Sequence, residues 1–545
     1  MKLSSPSFRL PSGLVIAVSF SLFLSLPFLG KAYHMDEPVF LATAARLAAD
    51  PLRPGNFAYN WYGVSEPMAR INSNPPLLPY LLAPVLALTG GGEALTRLAF
   101  QPFDLLAAVS LYLLAGRFLR RPLLPVLIVL AGPAYLVNMG HLMAEKPAFS
   151  LGCAGLYALV RALEGGGAPW ERGAMALLAL AMLAKTGAVL FLAPAAVLLL
   201  RAGRGAEASF GFCCWTLLPA LAAALGQDLL GLGGAGATLG VLRRSYGMTD
   251  WPYKVRAFLC FTGACGVVTA FWPLLALRRR PLLLAGAAAC AGIFLLPSFD
   301  VRPVLGLDRA IGLLAAAGAA AGFLCLADSR GRRSAGGPLW LAWIAAASVL
   351  QLFFYWGVLA RIALFMVPPL VFGLAERLEE DLEPRALTPL YAASLSLALG
   401  LGLGGAWVDR RYADSQKRFA QEVAAPAIAA GRRVFFAGHW GLQYYMEKVG
   451  AVPLDEARGG YEAMKPGDLL VLSRVNSNNS LLGEPKLSQG HVIRHDRRII
   501  VTAALPLRLL SGWTGQGGFY ADSWGFLPWS FSREPVDEFA LGEHQ

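Results

Sequence analysis

Apolar runs recur along most of the chain, and no other feature constrains its fold as strongly. They can be marked at 12–30, 95–116, 122–139, 147–164, 172–184, 186–201, 209–229, 256–275, 281–297, 309–327, 338–358, 361–378 and 386–406. A spanning helix needs about 20 predominantly apolar residues, and the bilayer leaves the backbone no other open form. Only 15% of the residues are charged, against about 25% in soluble domains. The pattern predicts a polytopic α-helical membrane protein with about 13 transmembrane helices, and it excludes a soluble enzyme. The first run is long for a secretion signal and ends in Gly30-Lys31, so it reads as an uncleaved span.

Charge orients the spans. The formal net charge of +12 comes from short Arg clusters between the runs. They form no basic, aromatic-interleaved patch for nucleic acid. With Lys2 and Arg9 in the cytoplasm, Arg117 to Arg121, Arg161 to Arg172, Arg201 and Arg204, Arg278 to Arg280, Arg330 to Arg333 and Arg377 to Arg385 all fall inside. Asp36, Glu145, Lys185, Tyr246 to Lys254 and Arg361 then face out. This requires the proline-bearing stretch 74–90 to be a juxtamembrane helix in the outer interface. The amphipathic stretch 38–49 reads as a second one. The seven cysteines lie in or beside apolar runs without zinc-site spacing, and read as small core residues.

The chain divides into a transmembrane domain, 1–408, whose first outer loop is 31–94, and a C-terminal extracytoplasmic domain, 409–545. In the latter, 413–431 and 440–450 read as helices, and 432–438, 468–474 and 498–507 as strands. The alternation predicts a small α/β domain. An aromatic, turn-rich end, 518–532, packs on it or at the interface.

The candidate chemistry sits at the outer ends of the runs. Asp36 and Glu37 follow the first span. A carboxylate there can deprotonate an acceptor. The bland alternative is an N-cap or first-turn acid for a helix whose first residues include Pro38. Glu145 and Lys146 precede Pro147; Glu145 either orients an acceptor, binds a divalent metal, or answers the helix dipole. Lys185 interrupts an apolar stretch, where it pairs with a lipid phosphate or snorkels to headgroups. Arg361 suits bidentate phosphate recognition, or anchors the aromatic belt of Phe353, Phe354, Tyr355 and Trp356. Pro368-Pro369 would break the following helix and shape a groove for a prenyl chain. The basic, aromatic loop 243–256, with Tyr246, reads as a lid or a collar. No Walker-type or GxGxxG loop stands out, which argues against a nucleotide-driven pump.

Five pieces in order carry a resemblance: Asp36-Glu37, NPPLLPYLLAPVLALTGGGEALTRL (74–98), MAEKPAF (143–149), LAKTG (183–187) and ARIALFMVPPL (360–370). Together they resemble the GT-C superfamily of polytopic glycosyltransferases. They are most similar to the bacterial branch of lipid A aminoarabinose transferases, Rgt-type lipopolysaccharide glycosyltransferases and relatives of protein O-mannosyltransferases. The resemblance implies transfer of a hexose or pentose from a polyprenyl-phosphate sugar to a glycolipid, polysaccharide or protein. It places the reaction at the outer face of a bacterial inner membrane. It implies Asp36 as base, with Glu37 and Glu145 beside it, and Lys185 and Arg361 on the donor phosphate. Asn74, Lys146, Tyr355 and Tyr246 are the candidate substrate contacts. Asn74 stands where the family often has His or Lys, Ser73 where the aminoarabinose transferases have an acid, and Glu145 where Asp is common. The rival readings are a transporter or flippase of lipid-linked saccharide and a non-catalytic envelope scaffold. Neither inverted repeats nor mid-membrane charges, the marks of a transporter, are evident by eye.

Overall fold

The computed structural model describes residues 12–229, 250–268, 271–278, 280–296, 304–476 and 493–545. Helices occupy the expected apolar runs. The first is α1 (Ser12–Ser25), followed in the first loop by α2 (Glu37–Arg46), the β1–β2 hairpin (Ala58–Asn60, Ser65–Pro67), α3 (Met68–Ile71) and α4 (Leu77–Thr89). Then come α5 (Glu93–Ala99), α6 (Gln101–Ala115), α7 (Leu123–Ala131), α8 (Pro133–Met139), α9 (Glu145–Arg161), α10 (Gly167–Ala184), α11 (Leu192–Arg201) and α12 (Gly205–Leu229). The later series is α13 (Trp251–Gly266), α14 (Trp272–Ala276), α15 (Pro281–Ala291), α16 (Gly306–Ala327), α17 (Ser329–Arg333), α18 (Gly337–Val349), α19 (Ala360–Asp381) and α20 (Pro384–Phe419).

Among the described residues, five helical stretches are long and apolar enough to cross a membrane: Glu93–Ala115, Gly205–Gln227, Gly306–Ala327, Gly337–Phe354 and Pro384–Ala429. Others are apolar but shorter, such as Ser12–Phe28, Thr186–Arg201 and Pro281–Phe294. The chain is a mostly helical membrane protein.

Three expectations are corrected. Helix α2 is not the one-sided amphipathic helix expected at 38–49: Val39, Phe40, Leu41, Thr43 and Ala44 are all buried, so the protein covers it on more than one face. Helix α19 runs through Pro368 and Pro369 without stopping, and both are buried. They therefore offer no exposed groove. Neighbouring helices can support a span whose ladder loses N–H donors to proline. Finally, the boundary at 408/409 falls inside α20, which continues through a π-helical turn, Ala420–Ala424, into α21 (Ala425–Ala429).

Beyond α21, strands β3 (Val434–Ala437), β4 (Val452–Pro453), β5 (Leu469–Ser473), β6 (Ile493–Val501) and β7 (Asp537–His544) form one sheet of order β4-β3-β5-β7-β6. Strand β3 pairs parallel with β4 and β5; β7 pairs antiparallel with β5 and β6. Helix α22 (Trp440–Lys448) connects β3 to β4. The strand expected at 498–507 lies earlier, and β7 was not expected. The sheet and the spans share one core: Phe436, Val471, Phe526 and Phe539 belong to the same buried cluster as Leu111, Phe149 and Phe365.

Candidate active site

The coil leaving α1 is the local cause of the site. Lys31, Ala32, Tyr33 and His34 are buried, and Met35 takes the left-handed conformation, φ 53°. For a non-glycine residue this costs about 1–3 kcal/mol and persists only where surroundings enforce it. The enforcing contacts are visible. Lys31 Nζ lies 2.7 Å from Asp409 Oδ2 and 3.1 Å from His141 Nε2. Ala32 N–H donates to Asp414 at 3.0 Å, and Tyr33 N–H to the Tyr445 hydroxyl at 2.8 Å. His34 Nε2 lies 3.3 Å from Asp409 Oδ1. Gly441 of α22 packs so closely that a Cβ there would stand 2.3 Å from the Tyr33 carbonyl oxygen.

The turn at Met35 sends the next two acids in opposite directions. Glu37 points inward and is fully buried. It accepts from Arg97 Nη2 at 2.9 and 3.0 Å, from His34 N–H at 2.6 Å and from Leu142 N–H at 2.8 Å. Burial opposes its charge, yet Arg97, His141 and Lys31 hold its carboxyl below the usual range. Asp36 points the other way. It occupies the N-cap of α2, but its side chain makes no capping bond. Its Oδ2 lies 2.7 Å from Arg361 Nη1, and the side chain keeps 35% exposure.

Arg361, in the first turn of α19, also reaches Glu145, Nε to Oε1, at 3.4 Å. Glu145 begins α9, almost wholly buried, and receives Lys185 Nζ at 2.8 Å. Lys185 ends α10 in an extended conformation, and its side chain is 7% exposed. It turns inward to Glu145 and does not snorkel. Its ammonium also sits 5.6 Å from the ring centre of Tyr355. Asp36, Glu145, Lys185, Arg361 and Tyr355, drawn from the ends of four helices and one loop, thus form a single alternating-charge cluster. It leaves the Asp36 carboxylate at its partly exposed end.

Tyr355 and Arg361 are themselves held. Lys254 Nζ donates to the Tyr355 carbonyl at 2.7 Å, and Gln351 to that of Gly357 at 2.7 Å. The 518–532 segment docks on the same loop: Ala360 N–H donates to the Phe519 carbonyl and Asp522 N–H to that of Val358.

Other sequence candidates lie elsewhere. Lys146 is buried against Asp104 at 2.7 Å. Asn74 bonds to Asn72 and lines a separate cavity with Tyr80 and Pro76. Tyr246 lies outside the described residues. The donor set does not fit a metal: Glu145 is taken up by Lys185 and Arg361. Among the described residues no three His, Cys, Asp or Glu side chains are grouped to hold an ion. Arg97 belongs to the 74–98 stretch that carries the resemblance, but the sequence reading passed over Asp104 and Asp409; of these, Asp104 alone has a signal, as a charge inside an apolar helix.

The cluster lies at the ends of apolar helices, with its ion pairs largely turned inward. Residues 73–226, well under half of the chain, match the model of the PMT_2 family, described as dolichyl-phosphate-mannose-protein mannosyltransferase. This match bears out the resemblance to GT-C membrane glycosyltransferases. Among solved structures the chain is similar to ArnT from Cupriavidus metallidurans bound to undecaprenyl phosphate, at 15% identity over 88% of this chain and 96% of that one, TM-score 0.45. It is also similar to the arabinosyltransferase EmbB from Mycobacterium smegmatis, at 16% identity over 76% and 42%, TM-score 0.34. A third is the arabinofuranosyltransferase AftD from Mycobacteria, at 14% identity over 98% and 40%, TM-score 0.44. No curated protein matches the chain.

Proposed function

We propose that the protein transfers a sugar from a polyprenyl-phosphate donor to a glycolipid, polysaccharide or protein acceptor at the outer face of a bacterial inner membrane. One observation carries the reading: Lys185 and Arg361 share Glu145, while Arg361 also holds the partly exposed Asp36. Two cations and two carboxylates balance in the absence of substrate. A lipid phosphate entering between Lys185 and Arg361 competes with Asp36 for the guanidinium, and so frees that carboxylate as the donor binds.

The acceptor hydroxyl oxygen then attacks the anomeric carbon. The bond from that carbon to the phosphate oxygen breaks, and Asp36 takes the hydroxyl proton. Polyprenyl phosphate leaves with the electron pair, its charge held by Lys185 and Arg361. Glu145 keeps the two cations in register, and Tyr355 flanks Lys185. Glu37 serves as the inner anchor of the loop.

The test is mass spectrometry of polyprenyl-phosphate lipids in cells lacking the protein, complemented with wild type or Asp36→Asn. A polyprenyl-phosphate sugar accumulates without the protein, only wild type clears it, and its mass names the donor. Equal clearance by Asp36→Asn refutes the role of the base.

A further inference from the structure

Two buried ion pairs stand behind the site and take no direct part in the chemistry proposed above. One is Glu37 with Arg97; the other is Lys146 with Asp104, 2.7 Å apart and 2% and 3% exposed. Arg97, Gln101 and Asp104 recur at i, i+4 and i+7 through α5 and α6, so they share one helix face. All three line a small cavity with Ser21 and Lys146.

The arrangement sorts chain neighbours. Glu145 faces Lys185 and Arg361, while Lys146, the next residue, is drawn back to Asp104 and to the Met139 carbonyl, 2.8 Å away. A buried ammonium does not stay unpaired. Were Asp104 neutral, Lys146 would keep only the Met139 carbonyl, and the acid beside it on the chain is Glu145.

We infer that Asp104 is a positioning residue: by holding Lys146, it reserves the Glu145 carboxylate for Lys185 and Arg361. The inference rests on the reading of those two cations as the phosphate-holding pair. It predicts that Asp104→Asn harms the site through the released lysine, and that removing the lysine as well repairs it. A pair replaced together by neutral groups is commonly tolerated, whereas one orphaned charge is not.

The probe is undecaprenyl phosphate, titrated onto the full chain in lipid nanodiscs. Asp104→Asn should bind it about tenfold more weakly than wild type, and Asp104→Asn/Lys146→Met within about threefold of wild type. Unchanged affinity in Asp104→Asn, or equal loss in the double variant, overturns the inference. Should Asp104→Asn fail to accumulate, the double variant decides alone, and a tenfold loss there overturns it. A second measurement needs no ligand. Asp104 and Glu145 share no bond in the structure, so a purely local structural role for Asp104 makes the melting-temperature losses of Asp104→Asn and Glu145→Gln add. Competition by Lys146 makes the combined loss exceed their sum by several degrees, because the lysine then has neither acid. Additive losses overturn the inference. If wild type binds no undecaprenyl phosphate, the donor reading fails by itself and this cycle still judges Asp104.

Discussion

Asp36 and Glu37 are adjacent acids with opposite surroundings, and their neutral isosteres should have opposite consequences. Glu37→Gln removes the charge from a fully buried carboxylate that accepts four hydrogen bonds, two of them from Arg97. Its amide would also aim two N–H donors at a pocket already filled with donors. Orphaning one member of a buried pair costs about 3–5 kcal/mol, so the purified protein should melt several degrees lower. Asp36→Asn alters a pair whose acid is 35% exposed. Pairs so placed contribute about 1 kcal/mol or less, and the melting temperature should stay within about two degrees. Activity should divide the other way. Losing a positioned general base costs about 10²–10⁴-fold, so on the base role proposed for Asp36, Asp36→Asn should leave the polyprenyl-phosphate sugar uncleared while remaining folded. The assay is fluorescence-detected melting in detergent, set beside lipid mass spectrometry of complemented cells. A melting loss in Asp36→Asn as large as that in Glu37→Gln would refute the division of labour, as would clearance of the lipid by Asp36→Asn.

Three further outcomes follow from other contacts. Lys185→Met leaves Glu145 with Arg361 alone and removes one of the two cations proposed to hold the donor phosphate; binding of undecaprenyl phosphate should weaken about 10–100-fold, by about 1.5–3 kcal/mol for a lost charge-assisted bond, and unchanged binding refutes the assignment. Gly357→Ala would place a Cβ 2.6 Å from Asp522 Oδ1 in the loop that leads to Arg361; turnover should fall about tenfold (~1.4 kcal/mol) and recover in Gly357→Ala/Asp522→Gly, which removes the obstructing carboxylate. Stability should also depend on pH. Burial, then the nearby Lys31, pushes the His141 imidazole from 6.5 down to about 4. The unfolded chain therefore binds a proton there that the folded protein refuses, and stability is lost as pH falls from about 6.5 to 4, by at most about 3 kcal/mol. Melting temperatures between pH 7.5 and 4.5 check the sign, and a flat profile counts against a neutral His141.

What the sequence showed and what it hid divide along physical lines. Apolar runs placed the helices, because a segment that must satisfy its own backbone in lipid declares itself locally. Lone charges at the ends of such runs are costly without a partner, and Asp36, Glu145, Lys185 and Arg361 were legible for that reason. Their partners were not, since Arg361 and Asp36 lie 325 residues apart and nothing local encodes the pairing. The inner anchors were harder still. Glu37 and Lys146 sit beside legible residues and share their chemistry, and only tertiary packing shows that they face away. Strand β7 was hidden by composition. Its sequence DEFALGEH is half polar, and it becomes a strand between β5 and β6 through pairing with both, a case of context overriding propensity.

The continuity of α20 changes what the C-terminal region is for. A helix that ran into a linker would leave the following sheet free to move. Here the helix carries Asp409 and Asp414 directly to the loop before Asp36, where they bind Lys31, His34 and the Ala32 amide. The sheet's connecting helix adds the Tyr445 hydroxyl to Tyr33, and the 518–532 segment adds the Tyr520 hydroxyl to Asp409. The same segment grips the loop before Arg361 through Phe519 and Asp522. One C-terminal unit therefore touches both sides of the Asp36–Arg361 pair. The strained turn at Met35 is affordable because contacts from 409, 414, 445 and 520 converge on it, and those contacts fix where the carboxylate points. The region after the last span works as part of the scaffold of the site, because the chain holds Asp36 in place from its far end.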